Sequence, residues 1–600
     1  MASSDSSRNS RPEGLEKLPR ELVIRILEHC DYRGILRFAA TCQSYSQLVT
    51  SSARLRLQVE LDANGLQPSR RWLATGGRSH ELLKKLTKCR DRWLDLRLDT
   101  GESMPRTTTG QRFTLWELRG GIFASAFYMG DYRPLEANAI KLITLDPPIS
   151  NWTLQFDFVF HELTIDPAQD LLVLAITEHI NCPTLYIRLC SLRTGLVHPS
   201  AKLAIIPILL QYSVAPHHIY STVSLIAVND ILIISLIAHN SELCYDVLAW
   251  NWQTGTLLMR TGWLPGLCGA TCLDNDQLVV FEAVIPNTTD SDETKPDALA
   301  LVIYDKIRTS DASYGEKSDS RFLASDYQPR EPTLRLGFPP LGLNTWALTT
   351  DFLLRAAPVS SHTTLDSPEL LPRPGCRTLS LSMRLLIGET SPTFLIFVDS
   401  GKLLDHLAQA QSKRQDFIPW EVWGEHSTRW IRYSSDPNPW INWVHGTRYV
   451  LGRQVVDEQP EVEGNPYIAV ADFHGPTIRR FKTRRMENYI VLPSDDMHRS
   501  EVIRDGQWAF FGNYGSSQRV LEDGMLAVDI VDEDTPTIIN DLGPTPIISR
   551  LPYRLTVARP VQSVRGCKDW MIDDNRIIGV GPNPDTGQFG DLITIQLISI

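Results

Sequence analysis

Residues 15–55 read LEKLPRELVIRILEHCDYRGILRFAATCQSYSQLVTSSARL, and apolar side chains recur through them with the period of a helix. Pro19 stands where a first helical turn tolerates proline, because its missing N–H has no partner there. The first helical stripe consists of Leu22, Val23, Ile26, Leu27 and Cys30. Asp31 is a typical N-cap residue and predicts a second helix, and a third short helical element runs on to Leu55. Such a small three-helix unit buries little surface, so we expect it to complete its burial against a partner.

The spacing of these residues resembles an F-box. The matching positions are Leu18-Pro19-x-Glu21-Leu22, Ile26-Leu27, Leu36, Ala39-x-Thr41-Cys42 and Leu48. This resemblance implies docking to the Skp adaptor of Skp–cullin–F-box (SCF) ubiquitin ligases. The implied adaptor-binding residues are Leu18, Pro19, Leu22, Ile26, Leu27 and Leu36. The alternative is a helical cap that packs on the C-terminal part of its own chain.

The flanks of this unit differ from it in character. Residues 1–14 are rich in Ser, Arg and Pro, a composition typical of a disordered tail. Residues 56–104 are predicted to be a helical linker, because leucines and Trp93 recur at heptad-like spacing within residues 68–98. We interpret this segment as a connector between the F-box and a larger domain.

From residue 105 onward the helical period is replaced by short apolar runs bounded by Gly, Pro, Asn and Asp, which predicts an all-β region. The runs come in pairs that repeat about every 45–65 residues, a spacing typical of propeller blades. We therefore predict a β-propeller of seven or eight blades over residues 105–600, with residues 307–377 partly a mobile insertion. Turns that close on glycine are expected at Gly195, Gly255 and Gly401.

The blades resemble degenerate WD-type repeats, since the Gly-His and Trp-Asp hallmarks are missing. An F-box followed by such a domain, with DPAQDLLVLAI at residues 166–176, resembles the large F-box families of mushroom-forming fungi. The segment PWEVWGEHSTRWIRY at residues 419–433 is also similar to that family.

Composition excludes several classes of protein. The 600 residues carry a formal charge of −11, which is unlike a protein that binds phosphate backbones, so no nucleic-acid partner is expected. The most apolar stretch, residues 222–239, contains Asn229 and Asp230 at its middle and predicts two buried strands around a turn rather than a membrane span. Ten dispersed cysteines form neither a disulfide scaffold nor a zinc pattern, and no metal or cofactor is expected. A polar N-terminus predicts a cytoplasmic or nuclear protein.

The sequence contains no nucleophile elbow, phosphate-binding loop or dinucleotide fingerprint, which favours a non-catalytic protein. Tryptophan is concentrated in one segment, at Trp420, Trp423, Trp430, Trp440 and Trp443. Because tryptophan is enriched at binding hot spots, the first three are candidate target-binding residues. The alternative is that they pack between blades, since large aromatic side chains are more often buried than presented.

Together these features predict a substrate receptor of an SCF ubiquitin ligase, with the F-box holding the adaptor and the propeller holding a target protein. A propeller scaffold with a vestigial or ligase-independent F-box is the alternative. A propeller hydrolase or lectin is a third class, and it requires acidic and histidine side chains that converge at one mouth of the propeller channel.

Overall fold

The computed structural model describes most of the chain. The described residues are 18–74, 78–96, 99–100, 113–130, 136–146, 148–177, 184–210, 222–239, 243–284, 298–308, 322–323, 326–342, 345–357, 359, 370–433, 444–454, 466–482, 489–491, 497–508, 525–558, 569–573, 576–581 and 594–599. The chain forms two compact units. A helical unit comprises Met1–Leu94 with Pro368–Leu371, and a β-rich unit comprises Asp95–Ser367 with Pro372–Ile600. The predicted tail, residues 1–14, lies outside the described residues.

The helical unit begins with the helices expected from the apolar spacing. Its helices are α1 (Arg20–Leu27), α2 (Tyr32–Ala39), α3 (Gln43–Ser51), α4 (Ala53–Ala63), α5 (Arg70–Ala74) and α6 (Ser79–Leu94). Asp31 caps α2 as predicted, because its side chain accepts a hydrogen bond of 2.8 Å from the Gly34 N–H. A short strand, β1 (Leu66–Pro68), pairs with a strand far along the chain, Leu370–Pro372.

Two apolar clusters hold the helical unit together. The first lies among α1, α2, α3 and the start of α4, and contains Val23, Leu27, Ile35, Leu48, Val49 and Leu55. The second lies between α4 and α6, and contains Leu57, Leu61, Leu82, Leu83 and Leu86. Helix α4 contributes to both clusters, so it joins the predicted three-helix unit to the predicted linker.

The β-rich unit contains, within the described residues, seven sheets of four to six strands. Sheet 1 contains β3 (Phe113–Arg119), β4 (Ile122–Phe127), β5 (Ala137–Thr144) and β6 (Asn151–Phe160). Sheet 2 contains β7 (Glu162–Asp166), β8 (Leu171–Thr177), β9 (Thr184–Ser191), β10 (Ile205–Leu209) and β19 (Phe322–Leu323). Sheet 3 contains β11 (Thr222–Val228), β12 (Ile231–His239), β13 (Leu243–Asn251), β14 (Thr256–Arg260) and β15 (Leu264–Pro265).

The remaining four sheets have helices inserted between some of their strands, and the last sheet combines strands from the two ends of the unit. Sheet 4 contains β16 (Leu267–Cys272), β17 (Leu278–Val284), β18 (Ala298–Tyr304), β20 (Leu334–Gly337) and β25 (Phe417–Ile418). Sheet 5 contains β21 (Thr345–Arg355), β23 (Thr378–Ile387), β24 (Thr393–Asp399) and β26 (Thr428–Tyr433), with β22 being the Leu370–Pro372 strand described above. Sheet 6 contains β27 (Val444–His445), β28 (Arg448–Gln454), β29 (Pro466–Asp472), β30 (Tyr489–Val491), β31 (Leu526–Val531) and β34 (Tyr553–Ala558). Sheet 7 contains β2 (Asp99–Thr100), β35 (Asp569–Ile572), β36 (Arg576–Gly581) and β37 (Thr594–Ser599).

Along the chain, the α-helices of this unit and one small two-stranded ribbon are inserted between successive strands of sheet 5 or of sheet 6. They are α7 (Ser400–Lys413), α8 (Trp420–Ser427), α9 (Gly475–Lys482), α10 (Met497–Arg504), and a ribbon of β32 (Thr537–Ile539) with β33 (Ile547–Ser549). The predicted insertion, residues 307–377, lies partly outside the described residues, but its described part contains β19 to β22.

The turns follow the predicted chemistry with one exception. The apolar stretch 222–239 is two strands around a turn, as expected, and Asn229 adopts a φ of 54° there. Gly195 and Gly255 adopt φ angles of 71° and 72°, which confirms two of the predicted glycine turns. The prediction at Gly401 is wrong, because Gly401 lies in the first turn of α7. Its N–H donates to the Asp399 side chain at 2.8 Å, so Asp399 caps a helix instead of preceding a reversal.

Successive sheets contact one another in chain order, through the strand pairs β3–β7, β7–β11, β12–β16, β16–β21, β23–β27 and β28–β35. Polar side chains bridge several of these junctions. Arg119 of sheet 1 donates to Asp166 of sheet 2 at 3.1 Å. Arg576 of sheet 7 forms an ion pair with Asp146, which follows the third strand of sheet 1. The ion pair therefore links the last sheet of the unit to the first.

Candidate functional site

Helix α1 carries apolar side chains on two opposite faces. Pro19 precedes the helix with extended backbone, and its carbonyl accepts the N–H groups of Leu22 and Val23 at 3.0 and 3.2 Å. Val23 and Leu27 point inward, where they are 3% and 4% exposed within the first apolar cluster. An eight-residue helix with a satisfied inner face has no need of further apolar side chains for its own packing.

The outer face nevertheless presents apolar side chains to water. Leu22 and Ile26 are 48% and 47% exposed, and Leu36 of α2 is 48% exposed. Leu18 and Pro19 are exposed as well. Each exposed leucine represents apolar area whose burial by a partner stabilises a complex by about 25 cal/mol per Å². These five residues of the predicted adaptor-binding set are accessible to a partner.

Leu27, the sixth residue of the predicted set, lies in the core instead. The helix turns 100° per residue, so Leu27 follows Val23 on the inner face, whereas Ile26 follows Leu22 on the outer face. Leu27 can support the outer face by packing beneath it, but it cannot contact an adaptor in this structure. Its assignment as a contact residue is corrected on this ground.

Two polar side chains of α4 hold α1 and α2 in place, and sequence reasoning missed both. The Gln58 side-chain amide donates to the carbonyls of Glu28 and Cys30 at 3.0 and 2.7 Å, which satisfies backbone groups at the end of α1. The Asp62 carboxylate accepts the Tyr32 N–H at 3.0 Å, at the start of α2. Both residues stand at i and i+4 on one face of α4, a spacing that the sequence shows but whose partners it does not.

The tryptophans proposed as target-binding residues are buried. Trp420, Trp423 and Trp430 are 7%, 1% and 0% exposed. They surround Phe338, with ring centroids 5.2 to 6.0 Å apart, and the Trp423 indole N–H donates to the Gly337 carbonyl at 2.8 Å. This corrects the target-binding assignment and favours the packing alternative. Trp440 and Trp443 lie outside the described residues.

The aromatic cluster packs α8 against sheets 4 and 5. Phe338 follows the fourth strand of sheet 4, and Trp430 lies on the last strand of sheet 5. Large aromatic side chains bury much area at little entropic cost, which makes them efficient wedges between sheets. The cluster therefore belongs to the packing of the unit.

Half-buried titratable side chains also occur in the β-rich unit. Glu117 of β3 accepts the Ile165 N–H of β7 at 2.9 Å and the Thr164 hydroxyl at 3.2 Å, so its carboxylate bridges sheets 1 and 2. Loss of hydration raises the pKa of Glu117 to about 7 and that of Glu162 to about 8. The charge of Arg119 opposes the shift at Glu117, and that of Arg355 opposes the shift at Glu162. Burial lowers the pKa of Arg355 itself to about 10.

The described residues contain no group of three or more His, Cys, Asp or Glu side chains arranged to hold a metal ion. None of the helices in the described ranges combines the length and the apolar character that a membrane crossing requires.

Comparison with known proteins identifies the N-terminal segment. Residues 15–57 match the F-box domain family. The chain is an F-box protein, with an F-box domain at its N-terminus and a mostly β C-terminal region. F-box domains bind Skp-type adaptors in SCF complexes, and this domain supports such a role for the chain. No curated protein matches the chain.

Several solved structures resemble the chain distantly. The β-propeller domain of the Trilobed protease from Pyrococcus furiosus is 8% identical, with 60% of this chain and 91% of that chain covered and a TM-score of 0.26. Cobalt-substituted apocarotenoid oxygenase from Synechocystis is 10% identical, with 46% and 55% covered and a TM-score of 0.25. A europium-containing methanol dehydrogenase is 9% identical, with 77% and 93% covered and a TM-score of 0.25. The match to the Synechocystis enzyme thus spans about half of that enzyme's length.

Proposed function

We propose that this chain is the substrate receptor of an SCF-type ubiquitin ligase. The F-box domain binds a Skp-type adaptor, and the β-rich unit binds a target protein that the ligase modifies. The observation that carries the proposal is the exposure of Leu22, Ile26 and Leu36 on a domain that matches the F-box family. Apolar side chains arranged on short, capped helices lose little entropy on docking, because the helices are already ordered.

In this proposal the chain contributes proximity rather than chemistry. A receptor that holds a target lysine beside a ubiquitin thioester raises the effective concentration of the two reacting groups. The chain then needs no catalytic residue, metal or cofactor of its own, and it acts in the cytoplasm or nucleus with its adaptor. The β-rich unit is the larger of the two and offers the surface for the target.

We further propose that the β-rich unit is a closed propeller of seven blades. The seven sheets of four or more strands, their contacts in chain order and the Arg576–Asp146 ion pair between sheets 7 and 1 support this proposal. The pairing of β2 with β37 supports it too, because a strand from the start of the unit completes the sheet made from its end. A closed ring removes the exposed sheet edges that cause aggregation.

Co-expression with a Skp-type adaptor tests the receptor proposal. The full chain is purified through the adaptor beside a Leu22→Asp/Ile26→Asp variant, which places charges on the outer face of α1. A Leu73→Asp variant is the matched control, because Leu73 is exposed on α5 and lies outside the predicted adaptor-binding set. We expect the wild-type chain and the control to co-purify with the adaptor and the charged variant to be lost. A wild-type chain that is folded but does not bind the adaptor would leave the scaffold alternative.

A further inference from the structure

The helical unit contains a piece of chain from far downstream. Leu370 and Leu371 belong to this unit, although the chain up to Ser367 and again from Pro372 belongs to the β-rich unit. Their strand, β22, pairs with β1 of the helical unit in a two-stranded sheet. Each of these short strands ends in a proline, a residue that is tolerated in edge strands.

Leu370 is partly buried and packs on the second apolar cluster, which side chains of α4 and α6 form. The cluster is small, and within it Leu57 and Leu61 are the residues of α4. A cluster of this size loses a large share of its buried area when one partly buried leucine is removed. Leu370 therefore stabilises the position of α4.

Helix α4 in turn positions the helices that carry the exposed apolar residues. Leu55 at its start belongs to the first apolar cluster with Val23 and Leu27 of α1. Gln58 binds the carbonyls at the end of α1, and Asp62 binds the first N–H of α2. Leu57 and Leu61 alternate with these residues along the same helix, so packing against Leu370 and bonding to α1 and α2 occur on one rigid element.

We propose that Leu370 is a positioning residue for the adaptor-binding face, acting through α4, so that the F-box domain of this chain is fully ordered only when the β22 segment is paired with β1. This inference rests on the proposed function for the identity of the partner. The coupling between Leu370 and α4 is argued independently, from the packing of Leu370 on the second apolar cluster. The matched F-box segment ends at residue 57 and includes neither Gln58, Asp62 nor Leu370.

A consequence concerns the order in which the domain is completed. The segment that stabilises α4 is synthesised after the first three sheets of the β-rich unit. An adaptor that requires a well-ordered α1 and α2 therefore binds the full chain better than a chain that lacks residues 370 and 371. The coupling favours complete receptors over truncated ones.

Hydrogen exchange and adaptor binding on the full-length chain test the proposal together. Leu370→Asp is compared with Leu73→Asp, a matched control in the same unit, because Leu73 is 60% exposed and its substitution adds the same charge without disturbing the cluster. We expect exchange of the α4 amides to rise by about tenfold in Leu370→Asp and to stay unchanged in the control, since local opening follows local packing. Adaptor affinity is expected to fall by about three- to tenfold in the same variant alone.

The two measurements distinguish the coupling between Leu370 and α4 from the positioning role of Leu370 in adaptor binding. If α4 exchange in Leu370→Asp stays within twofold of the control, the coupling is overturned whatever the adaptor does. If α4 exchange rises and adaptor affinity does not change, the positioning role is overturned. Failure of the wild-type chain to bind the adaptor overturns the proposed function, and α4 exchange still decides the coupling. Leu370→Ala is the milder variant if Leu370→Asp does not fold, and amides of β12 report whether the β-rich unit remains intact.

Discussion

The helical and β-rich units make opposite use of their apolar and charged side chains. The helical unit leaves apolar residues in water, with Leu22 and Ile26 about half exposed although both lie on a well-formed helix. The β-rich unit places charged residues in its interior, with Arg429 fully buried and Arg377 3% exposed. Exposed apolar residues grouped on one helix face favour a surface that another protein covers, whereas buried arginines indicate junctions that the fold itself must hold.

Two buried arginines of the β-rich unit, Arg377 and Arg429, bind mainly backbone carbonyls. Arg377 donates to the carbonyls of Ala357 and Cys272 at 2.6 and 3.0 Å, and it thereby ties sheet 5 to the end of the first strand of sheet 4. Arg429 donates to the carbonyls of Leu551 and Thr535 at 2.8 and 2.9 Å. The carbonyls of Ala357, Leu551 and Thr535 lie in loops, and that of Cys272 lies at a strand end. The guanidinium group supplies several donors to such carbonyls at once.

The largest loss of stability is expected when a buried arginine of the β-rich unit is removed. Arg429→Met is expected to lower the free energy of unfolding by about 3–5 kcal/mol, because the carbonyls of Leu551 and Thr535 lose their donor in a buried site. Urea unfolding of the full chain measures the change. Arg193→Ala is the control, since the Arg193 side chain is 77% exposed. A loss below about 1 kcal/mol in Arg429→Met would show that water replaces the guanidinium group.

The two faces of α1 provide the next test. Leu27→Ala is expected to destabilise the helical unit by about 2–5 kcal/mol, because it leaves a cavity in the first apolar cluster. Leu22→Ala, by contrast, is expected to change stability by less than about 0.5 kcal/mol and to weaken adaptor binding. Thermal unfolding and adaptor titration of both variants check the contrast. Equal losses of stability would mean that the outer face is not free in solution.

A pH series tests the titratable groups of the β-rich unit. The pKa values of Glu117 and Glu162 are raised from 4.5 to about 7 and about 8, so the native state keeps protons that the unfolded chain releases first. The stability that these groups contribute is therefore full below pH 4.5 and is lost as the pH rises toward 8.

Glu162→Gln removes one of these titrations while keeping the shape and the acceptor for the Leu163 N–H. We expect it to stabilise the chain at pH 8 by about 1–2 kcal/mol and to have little effect at pH 5, with water at the half-buried carboxyl reducing the gain. Unfolding at both pH values measures the difference. The control is Glu389→Gln at an exposed position, and an equal gain at both pH values would contradict the assignment.

The smallest effect is expected at the cap of α2. Asp31→Ala removes the acceptor for the Gly34 N–H and should cost about 1 kcal/mol, whereas Asp31→Asn keeps an acceptor and should cost only a few tenths. Thermal unfolding of the helical unit within the full chain distinguishes the two. Similar losses in both variants would assign the effect to the charge of Asp31 instead of its hydrogen bond.

Local chemistry explains which predictions succeeded. Helices α1 and α2 follow from apolar residues at helical spacing and from Asp31, whose short side chain caps a helix wherever one begins. The strands on either side of Asn229 follow from a turn residue between two apolar runs. Gly401 was placed wrongly, because an Asp-Ser-Gly sequence suits a helix start as well as a turn, and only the following residues Leu403 and Leu407, buried on one face of α7, decide between them.

The predictions that depended on burial fared worse. Leu27 and Ile26 are neighbours of similar chemistry, but Leu27 is buried and Ile26 is exposed. The difference follows from the rotation of α1 against three other helices. The tryptophans of residues 420–430 carry the composition of a binding hot spot, yet they surround Phe338, which comes from another sheet. Neither outcome can be derived from a single segment, because burial depends on what approaches from elsewhere in the chain.

Sequence alone therefore established the helical F-box segment, the change to strands after it and the absence of a familiar catalytic motif, since each depends on residues close together in the chain. Tertiary structure decided which leucines face water, where the tryptophans pack and which backbone carbonyls the buried arginines bind. It also brought Leu370 to α4. These features join residues that are dozens to hundreds of positions apart, and their energies come from packing and desolvation, which local spacing does not encode.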